Sequence, residues 1–221
     1  AMHLTIVPGN LVEWILLKFN LGPTPLADTF IALLLARSIM TATKMGIFEA
    51  LENGPLSADE IARRCNTDLR ATEKLLFALA GAKYLKHRKG EYSLAPVARR
   101  WMLQNSPHSI RDATLHRYLD ARLMEHADEF LRTGKPTDFH QKLSPAEWEI
   151  YQRGQRSHAL YSAREVAARA PVPANAMQML DIGGAHGFYS VALCRKYPNL
   201  KSTILDLPDA VEKSAPILAQ E

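Results

Sequence analysis

The sequence predicts two unlike halves: a mainly α-helical N-terminal part containing a winged helix, then the start of an α/β doubly wound, Rossmann-like sheet. Three observations carry that expectation. A capping box at Ser57 opens a helix, turn, helix, hairpin pattern. A second capping box at Ser144 opens a helix expected to run to about Ala170. Finally, MLDIGGAHGFYSVALCRKYPNLKSTILDLPDAV, residues 179–211, reads as strand, glycine-rich turn, amphipathic run and second strand, with an acid ending each strand.

Taken in order, Asn10 caps a short, nearly all-apolar helix that Gly22 is expected to end. Thr24-Pro25 starts PLADTFIALLLARSIMTATKMGIFEALEN, a longer helix with Pro at the favoured first position. A helix apolar on most sides needs covering on most sides, either as a central core helix or at a subunit interface. The stripe Trp14, Phe19, Phe30 fits core or interface better than an aromatic cage. Ser57 with Glu60 then starts ADEIARRC, and Asn66-Thr67 turns the chain. DLRATEKLLFALAGAKYL follows as a second helix with Leu69, Leu75, Leu76, Leu79 and Ala80 apolar. KYLKHRKGEYSLAP is a hairpin with Lys89-Gly90 at its tip.

After Trp101, IRDATLHRYLDARLMEHADEFLRTG reads as a helical stretch closed by Gly134. A polar loop leads to Ser144, where Pro145 and Glu147 complete the start of the long helix. PVPAN is a linker. MQMLDI and STILD are strands joined by one crossover helix, and AVEKSAPILAQE is a further helix. The expected divisions are a winged-helix domain over 1–104, a linking helical region over 105–170 and the N-terminal part of a nucleotide-type domain over 171–221.

The composition of the 221 residues is that of an ordinary soluble protein, and a net charge of +4 permits an anionic partner without requiring one. Cys65 and Cys194 lie far apart with no metal-ligand spacing, and read as reduced thiols of a cytoplasmic protein. No apolar run is expected to reach the roughly 18 residues of a membrane span. LVEWILLKF comes nearest but carries Glu13 and Lys18. Ala1 reads as a cloning scar before a native Met2, with no cleavable signal.

The glycine turn favours a nucleoside without phosphates. Gly183, Gly184 and Gly187 let a ligand approach the backbone at a helix N-terminus. A dinucleotide fingerprint starting at Gly183 would need glycine at 185 and 188, where Ala185 and Phe188 stand, and a P-loop would need a lysine that is not here. Asp181 would repel a pyrophosphate but suits an ammonium or sulfonium group. Asp206, nineteen residues after Gly187, is placed to accept both hydroxyls of a ribose. An adenosine with a cationic tail fits, and S-adenosylmethionine (SAM) is such a molecule.

LDIGGAHG…ILDLP resembles the first two motifs of class I SAM-dependent methyltransferases, in the form carried by the plant caffeate and hydroxyindole-type O-methyltransferases and their bacterial members. ATKMGIFEALENGPLSADEIARRC…ATEKLLFALAGAKYL…YSLAPVARRWM resembles that family's winged-helix dimerisation domain, in the same order. The resemblance covers roughly residues 25 to 221, and the pairing of the two halves is what makes it specific. It implies SAM held by Asp181, Gly183, Gly184, Gly187, Asp206 and Leu207. It also implies Tyr151 and Gln155 at the substrate chamber, a homodimer through the N-terminal domain, and methyl transfer to a small-molecule hydroxyl. Ala185 departs from the family's middle glycine and is expected to crowd the cofactor by a methyl group. The family's general base is a histidine of a later motif, so no catalytic residue is named. The catalytic domain is expected to lack its C-terminal part, and the chain by itself to be inactive. Competing readings are a non-catalytic winged-helix regulator that binds DNA, and one subunit of a split methyltransferase whose sheet a partner chain completes.

Other constellations read more blandly. Asp112, His116 and Asp120 share one helix face, but Arg111 and Arg117 beside them favour a solvated, salt-bridged face over a metal site. Lys83, Lys86, His87, Arg88 and Lys89 could touch phosphates, yet the would-be recognition helix offers mainly Arg70, Glu73 and Lys74 amid Leu and Ala. Packing against a partner subunit is the better use of that winged helix. Tyr151, Gln155, Arg156, Ser157 and Tyr161 sit on the helix before the sheet, where packing and substrate contact are both open. His186 reads as a surface histidine without a catalytic role.

Overall fold

The computed structural model describes residues 7–173 and 175–221. The reading of Ala1 and Met2, and Ala174 of the PVPAN linker, lie outside the described residues.

Helix α1 (Leu11–Lys18) is capped by Asn10, whose side chain accepts from the Glu13 amide. It ends before Gly22. Asn20 takes the left-handed conformation at φ +54°, and the Leu21 amide reaches back to Leu16 O at 2.8 Å. Asparagine tolerates that conformation, so it closes the helix in a Schellman turn. The next helix begins at α2 (Thr24–Leu26), passes through a π-helical turn over Ala27–Ile31 and continues as α3 (Ala32–Lys44). It does not run on to Asn53 as the sequence predicts. Gly46, at φ +76°, breaks it and aims the short α4 (Ile47–Ala50) into the core.

The run Thr24–Lys44 has 21 residues and a mean hydropathy of 1.4 over its most apolar window, long and apolar enough to cross a membrane by length and composition. The expectation that no segment reaches that size is therefore corrected. Its last turns are core nonetheless, with Met40, Ala42 and Thr43 buried. Its first turns, with Leu26, Phe30, Ile31, Leu33 and Leu34, are exposed.

The winged helix forms as predicted. Strand β1 (Leu56–Ser57) leads into α5 (Ala58–Cys65), opened by the Ser57/Glu60 capping box, and α6 (Leu69–Gly81) follows. Strands β2 (Leu85–Arg88) and β3 (Glu91–Leu94) complete an antiparallel sheet in the order β1-β3-β2. Lys89 and Gly90 both have positive φ between the paired Arg88 and Glu91, the geometry of a two-residue type I′ hairpin loop. Phe48, Leu51, Ile61, Leu76, Leu79 and Leu85 form one buried cluster. Of the apolar face predicted for α6, Leu76 and Leu79 are buried, Leu75 and Ala80 half-buried, and Leu69 exposed.

Helix α7 (Pro96–Trp101) follows the wing. The single stretch predicted after it is two helices, α8 (Arg111–Met124) and α9 (Ala127–Thr133), parted at Glu125-His126 and closed by Gly134 at φ +66°. Helix α10 (Pro145–Arg169) opens with the Ser144/Glu147 capping box and ends where predicted. It is the post on which the second half is built, packing on α8 and on both helices of the α/β unit.

That unit runs β4 (Gln178–Ile182), α11 (Phe188–Lys196), β5 (Lys201–Leu205) and α12 (Pro208–Leu218), with β4 and β5 parallel and Asp181 opposite Ile204. One sheet face is covered, Met179 packing in a cluster with Ala192 and Leu193. The other face is bare: Leu180 is 57%, Ile182 75% and Leu205 55% exposed. Parallel strands are normally buried on both faces, so this one has the chemistry of a surface awaiting cover.

Candidate functional site

The carboxyl ends of β4 and β5 and the turn from Gly183 to Gly187 form the site. The period-2 alternation of β4 puts Leu180 and Ile182 on the bare face and sends Asp181 to the covered one. Asp181 Oδ2 accepts from Ser190 Oγ at 2.5 Å, and Ser190 Oγ lies 2.8 Å from Ser202 Oγ on β5. The carboxylate thus sits beneath the turn, tied to the first turn of α11.

Each glycine has its own reason. Gly183 and Gly187 take left-handed conformations, φ +71° and +70°. A Cβ on Gly184 would stand 2.8 Å from Asp181 Cγ, and one on Gly187 2.7 Å from Ile204 Cδ1. Ala185 is also left-handed, φ +48°, where an L side chain costs roughly 1–2 kcal/mol. The departure from glycine at 185 therefore acts first on the backbone of the turn.

Asp206 closes the site. Its Oδ2 accepts from the Ala185 amide at 2.7 Å and its Oδ1 from the Leu207 amide at 2.7 Å. An ionised carboxylate has about four acceptor positions, so about two remain for a ligand. No lysine or arginine stands between Asp181 and Phe188. Leu207 is exposed at the start of α12.

His186 is not a surface residue. It is 4% exposed, and its Nδ1 accepts from the Phe188 amide at 3.0 Å. Burial, with the Arg156 guanidinium adding to it, pushes its pKa down to about 4 against the pull of Asp181 and Glu221. Arg156 of α10 stacks over Phe188, 5.4 Å from its centroid, while its Nε donates to Glu221 Oε1 at 2.8 Å. Ser162 and Tyr189 hydroxyls, 2.7 Å apart, add a second tie between α10 and α11. Sequence reasoning missed Ser190 and the burial of His186, because no spacing rule links a strand acid to a helix hydroxyl nine residues on.

Tyr151 and Gln155 occupy successive turns of α10. Tyr151 Oη lies 3.1 Å from His140 Nε2, and Tyr151 packs on a cluster of Leu119, Leu143, Trp148 and Ala210. Ala210 belongs to the first turn of α12, so this cluster adjoins the carboxyl end of β5. Phe139 and His140 of the same neighbourhood line a cavity of about 660 Å³, together with Leu123, Met124, Phe130 and Pro136. Gln155 is half-buried.

The Asp112, His116, Asp120 face is salt-bridged as expected, with both acids partly exposed, but His116 between them is not solvated. His116 is 2% exposed, wedged where Gly154 lets α10 close on α8. Asp120 pairs with Arg117 at 2.7 Å, Arg117 lies 2.6 Å from His158 Nε2, and Asp112 turns to Arg111 at 3.5 Å. Burial above all keeps the pKa of His116 low, with Arg117 pushing the same way and Asp120 opposing. His158 is exposed, and its partial desolvation, with Arg117 beside it, lowers its pKa in the same sense.

These histidines set a pH dependence. A folded pKa below the unfolded value means that the unfolded chain takes up protons first as pH falls. Stability is then full above the unfolded value, about 6.5, and is lost as pH drops toward the folded one. His186 alone should remove about 2 kcal/mol between pH 7 and pH 5, with His116 and His158 acting in the same sense. Urea unfolding at the two pH values checks this, and equal midpoints would refute it.

Fold and site together define the class: a helical winged-helix domain followed by a Rossmann-like α/β unit with a glycine turn between acid-ended strands. The O-methyltransferase dimerisation domain family matches residues 27–104, and the O-methyltransferase domain family matches residues 116–221. The chain belongs to the O-methyltransferases that carry this N-terminal dimerisation domain. It is 28% identical over 197 residues to 3-hydroxy-5-methyl-1-naphthoate 3-O-methyltransferase of Streptomyces sahachiroi, covering 84% of this chain and 56% of that protein. The mitomycin 7-O-methyltransferase structure superimposes with a TM-score of 0.79 at 23% identity, over 92% of this chain and 63% of the other. Human N-acetylserotonin methyltransferase, solved in complex with SAM, gives a TM-score of 0.73 at 20% identity, over 96% of this chain and 64% of that one. The chain spans about half the length of the curated relatives it matches.

Proposed function

We propose that this chain binds SAM and serves a cytoplasmic, homodimeric O-methyltransferase whose acceptor is the hydroxyl of a small aromatic molecule. The observation that carries the reading is Asp206. It follows directly on β5, is anchored by the amides of Ala185 and Leu207, and keeps acceptor positions for the ribose hydroxyls. Gly183, Gly184 and Gly187 bring the backbone close to the ligand, Leu207 offers an apolar edge, and Asp181 supplies negative charge beneath the turn. The lack of basic side chains in the turn fits a nucleoside without phosphates. SAM, when bound, supplies a methyl group activated by the adjacent sulfonium and its own neutral leaving group.

The cavity beside Tyr151 suits the acceptor. Phe130, Phe139, Leu123 and Met124 would hold a flat ring beside the charged Glu129, Lys135, Asp138 and Lys142, and Tyr151 adjoins the cavity from α10 through His140. The names of relatives, acting on a naphthoate and on acetylserotonin, point to the same class of acceptor. Positioning the hydroxyl in line with the sulfonium is the contribution such a chamber makes. No general base is assigned among the described residues.

A regulator that reads DNA is not favoured. The exposed side of α6 carries Arg70 and Lys74, but the rest of it is Phe77, 77% exposed, with Leu69, Ala71, Ala78 and the acidic Glu73, which leaves few groups suited to a base edge. Such a face suits protein instead, as do α1 and the first turns of the Thr24–Lys44 helix, where no residue of α1 is buried. A second copy of the chain is their proposed cover, burying on the order of 2,000 Å² or more. Sedimentation at micromolar concentration should show a dimer, and a monomer would count against this interface. The bare face of β4 and β5 calls for further protein as well, from the same polypeptide or from a partner chain.

The function is tested by calorimetry of the 221-residue chain with SAM and, separately, with NAD. Saturable binding of SAM alone is expected. Preference for NAD would reject the reading.

A further inference from the structure

The amide at the start of α11 finds its partner in a side chain from outside the helix. Gly187 is the residue before α11 and offers no side chain to cap it. His186, one position earlier, supplies the acceptor: its Nδ1 takes the Phe188 amide at 3.0 Å. A ring nitrogen that accepts carries no proton, so in the neutral ring the proton resides on Nε2. The groups facing the ring are Arg156 from α10, Asp181 from β4 and Glu221 beyond α12, with Phe188 and Tyr189 on α11 itself.

We propose that His186 is a positioning residue, which as its Nε2–H tautomer pins the turn from Gly183 to Gly187 onto α11 and so holds it in the shape that receives the cofactor. This rests on the SAM reading for its consequence, though not for its geometry. The turn needs such a tie because Ala185 is strained at φ +48° and Gly183 and Gly187 are free to leave their left-handed conformations. A charged ring would fail twice. It could no longer accept from the Phe188 amide, and it would set a cation beside Arg156 and near a sulfonium ligand.

The test combines nitrogen-resolved NMR of the histidine rings with amide exchange and SAM titration, on the full chain and on two variants. His186→Phe keeps a ring and loses the acceptor; in His186→Asn, Oδ1 stands where Nδ1 does. The wild type should show a neutral Nε2–H ring at pH 6, where an ordinary histidine is largely protonated. His186→Phe should exchange its Phe188 amide at least tenfold faster and bind SAM about tenfold more weakly. His186→Asn should bring both to within about threefold of wild type, because the acceptor is restored. An Nδ1–H tautomer, a charged ring at pH 6, or unchanged exchange in His186→Phe would overturn the proposal. Absence of SAM binding by the wild type, with tautomer and exchange as expected, would overturn the functional reading and leave the positioning of the turn standing.

Discussion

Replacing Asp206 by alanine should weaken SAM binding roughly 10- to 150-fold, the equivalent of about 1.5–3 kcal/mol for hydrogen bonds to a charged group. The carboxylate has two duties. Toward the ligand it offers acceptors for two hydroxyls; toward the protein it holds the Ala185 and Leu207 amides at 2.7 Å each. Alanine removes both, so part of the lost affinity will come from a loosened turn. Asp206→Asn separates the duties, since its one carbonyl oxygen can keep a backbone amide but cannot serve both hydroxyls. Calorimetry of wild type, Asp206→Ala and Asp206→Asn should rank them in the order wild type, Asn, Ala. Asp112→Ala, on α8 and paired with Arg111, should change affinity little. Equal affinity of wild type and Asp206→Ala would remove the ribose role.

The second large effect concerns stability and runs against helix propensity. Gly154 lies inside α10, and alanine at an exposed position of a helix interior would gain about 1 kcal/mol. Here the added Cβ would meet His116, 2.7 Å from Cγ and 2.8 Å from Nδ1, with His116 Cβ nearer still. The ring is held between Tyr151, 5.0 Å away edge to face, and the Arg117–Asp120 pair, so it has nowhere to retreat. Overpacking typically costs about 1–3 kcal/mol, and a clash this close to the backbone belongs at the upper end. Gly154→Ala should therefore lower the urea midpoint by the equivalent of about 2 kcal/mol, and Gly154→Val by more. A variant more stable than wild type would show that α8 and α10 are not in contact here as described.

Local signals read well wherever the chain decides its own course. Both capping boxes, the Lys89-Gly90 hairpin, Gly134 and the two acid-ended strands lie where side-chain chemistry and periodicity place them. They read correctly because a cap or a type I′ turn is satisfied within a few residues. The break at Gly46 and the split at Glu125-His126 did not read. Both interrupt runs whose periodicity continues; at Gly46 the chain turns to bury Ile47 and Phe48, whereas α9 beyond Glu125-His126 buries no residue.

The site divides along the same line. The glycines and the two acids announce themselves through residue type and spacing, since only glycine fits those conformations and close approaches. What each acid touches could not be read: Asp181 turned under the loop to Ser190, and Asp206 toward the Ala185 amide. His186 shows the limit most clearly. Its type and position suggested a solvent-facing residue, yet α10 arrives from thirty residues earlier with Arg156 to bury it.

By itself, the sequence determined the winged helix, the strand–turn–helix–strand unit and the acids and glycines of its turn, because each depends on neighbours within a helical turn or a strand pair. Tertiary structure alone decided which histidines are buried, how Gly154 brings α8 onto α10, and which sheet face is left bare. Those outcomes depend on desolvation and packing between elements far apart in the chain, and no local pattern of side chains encodes them.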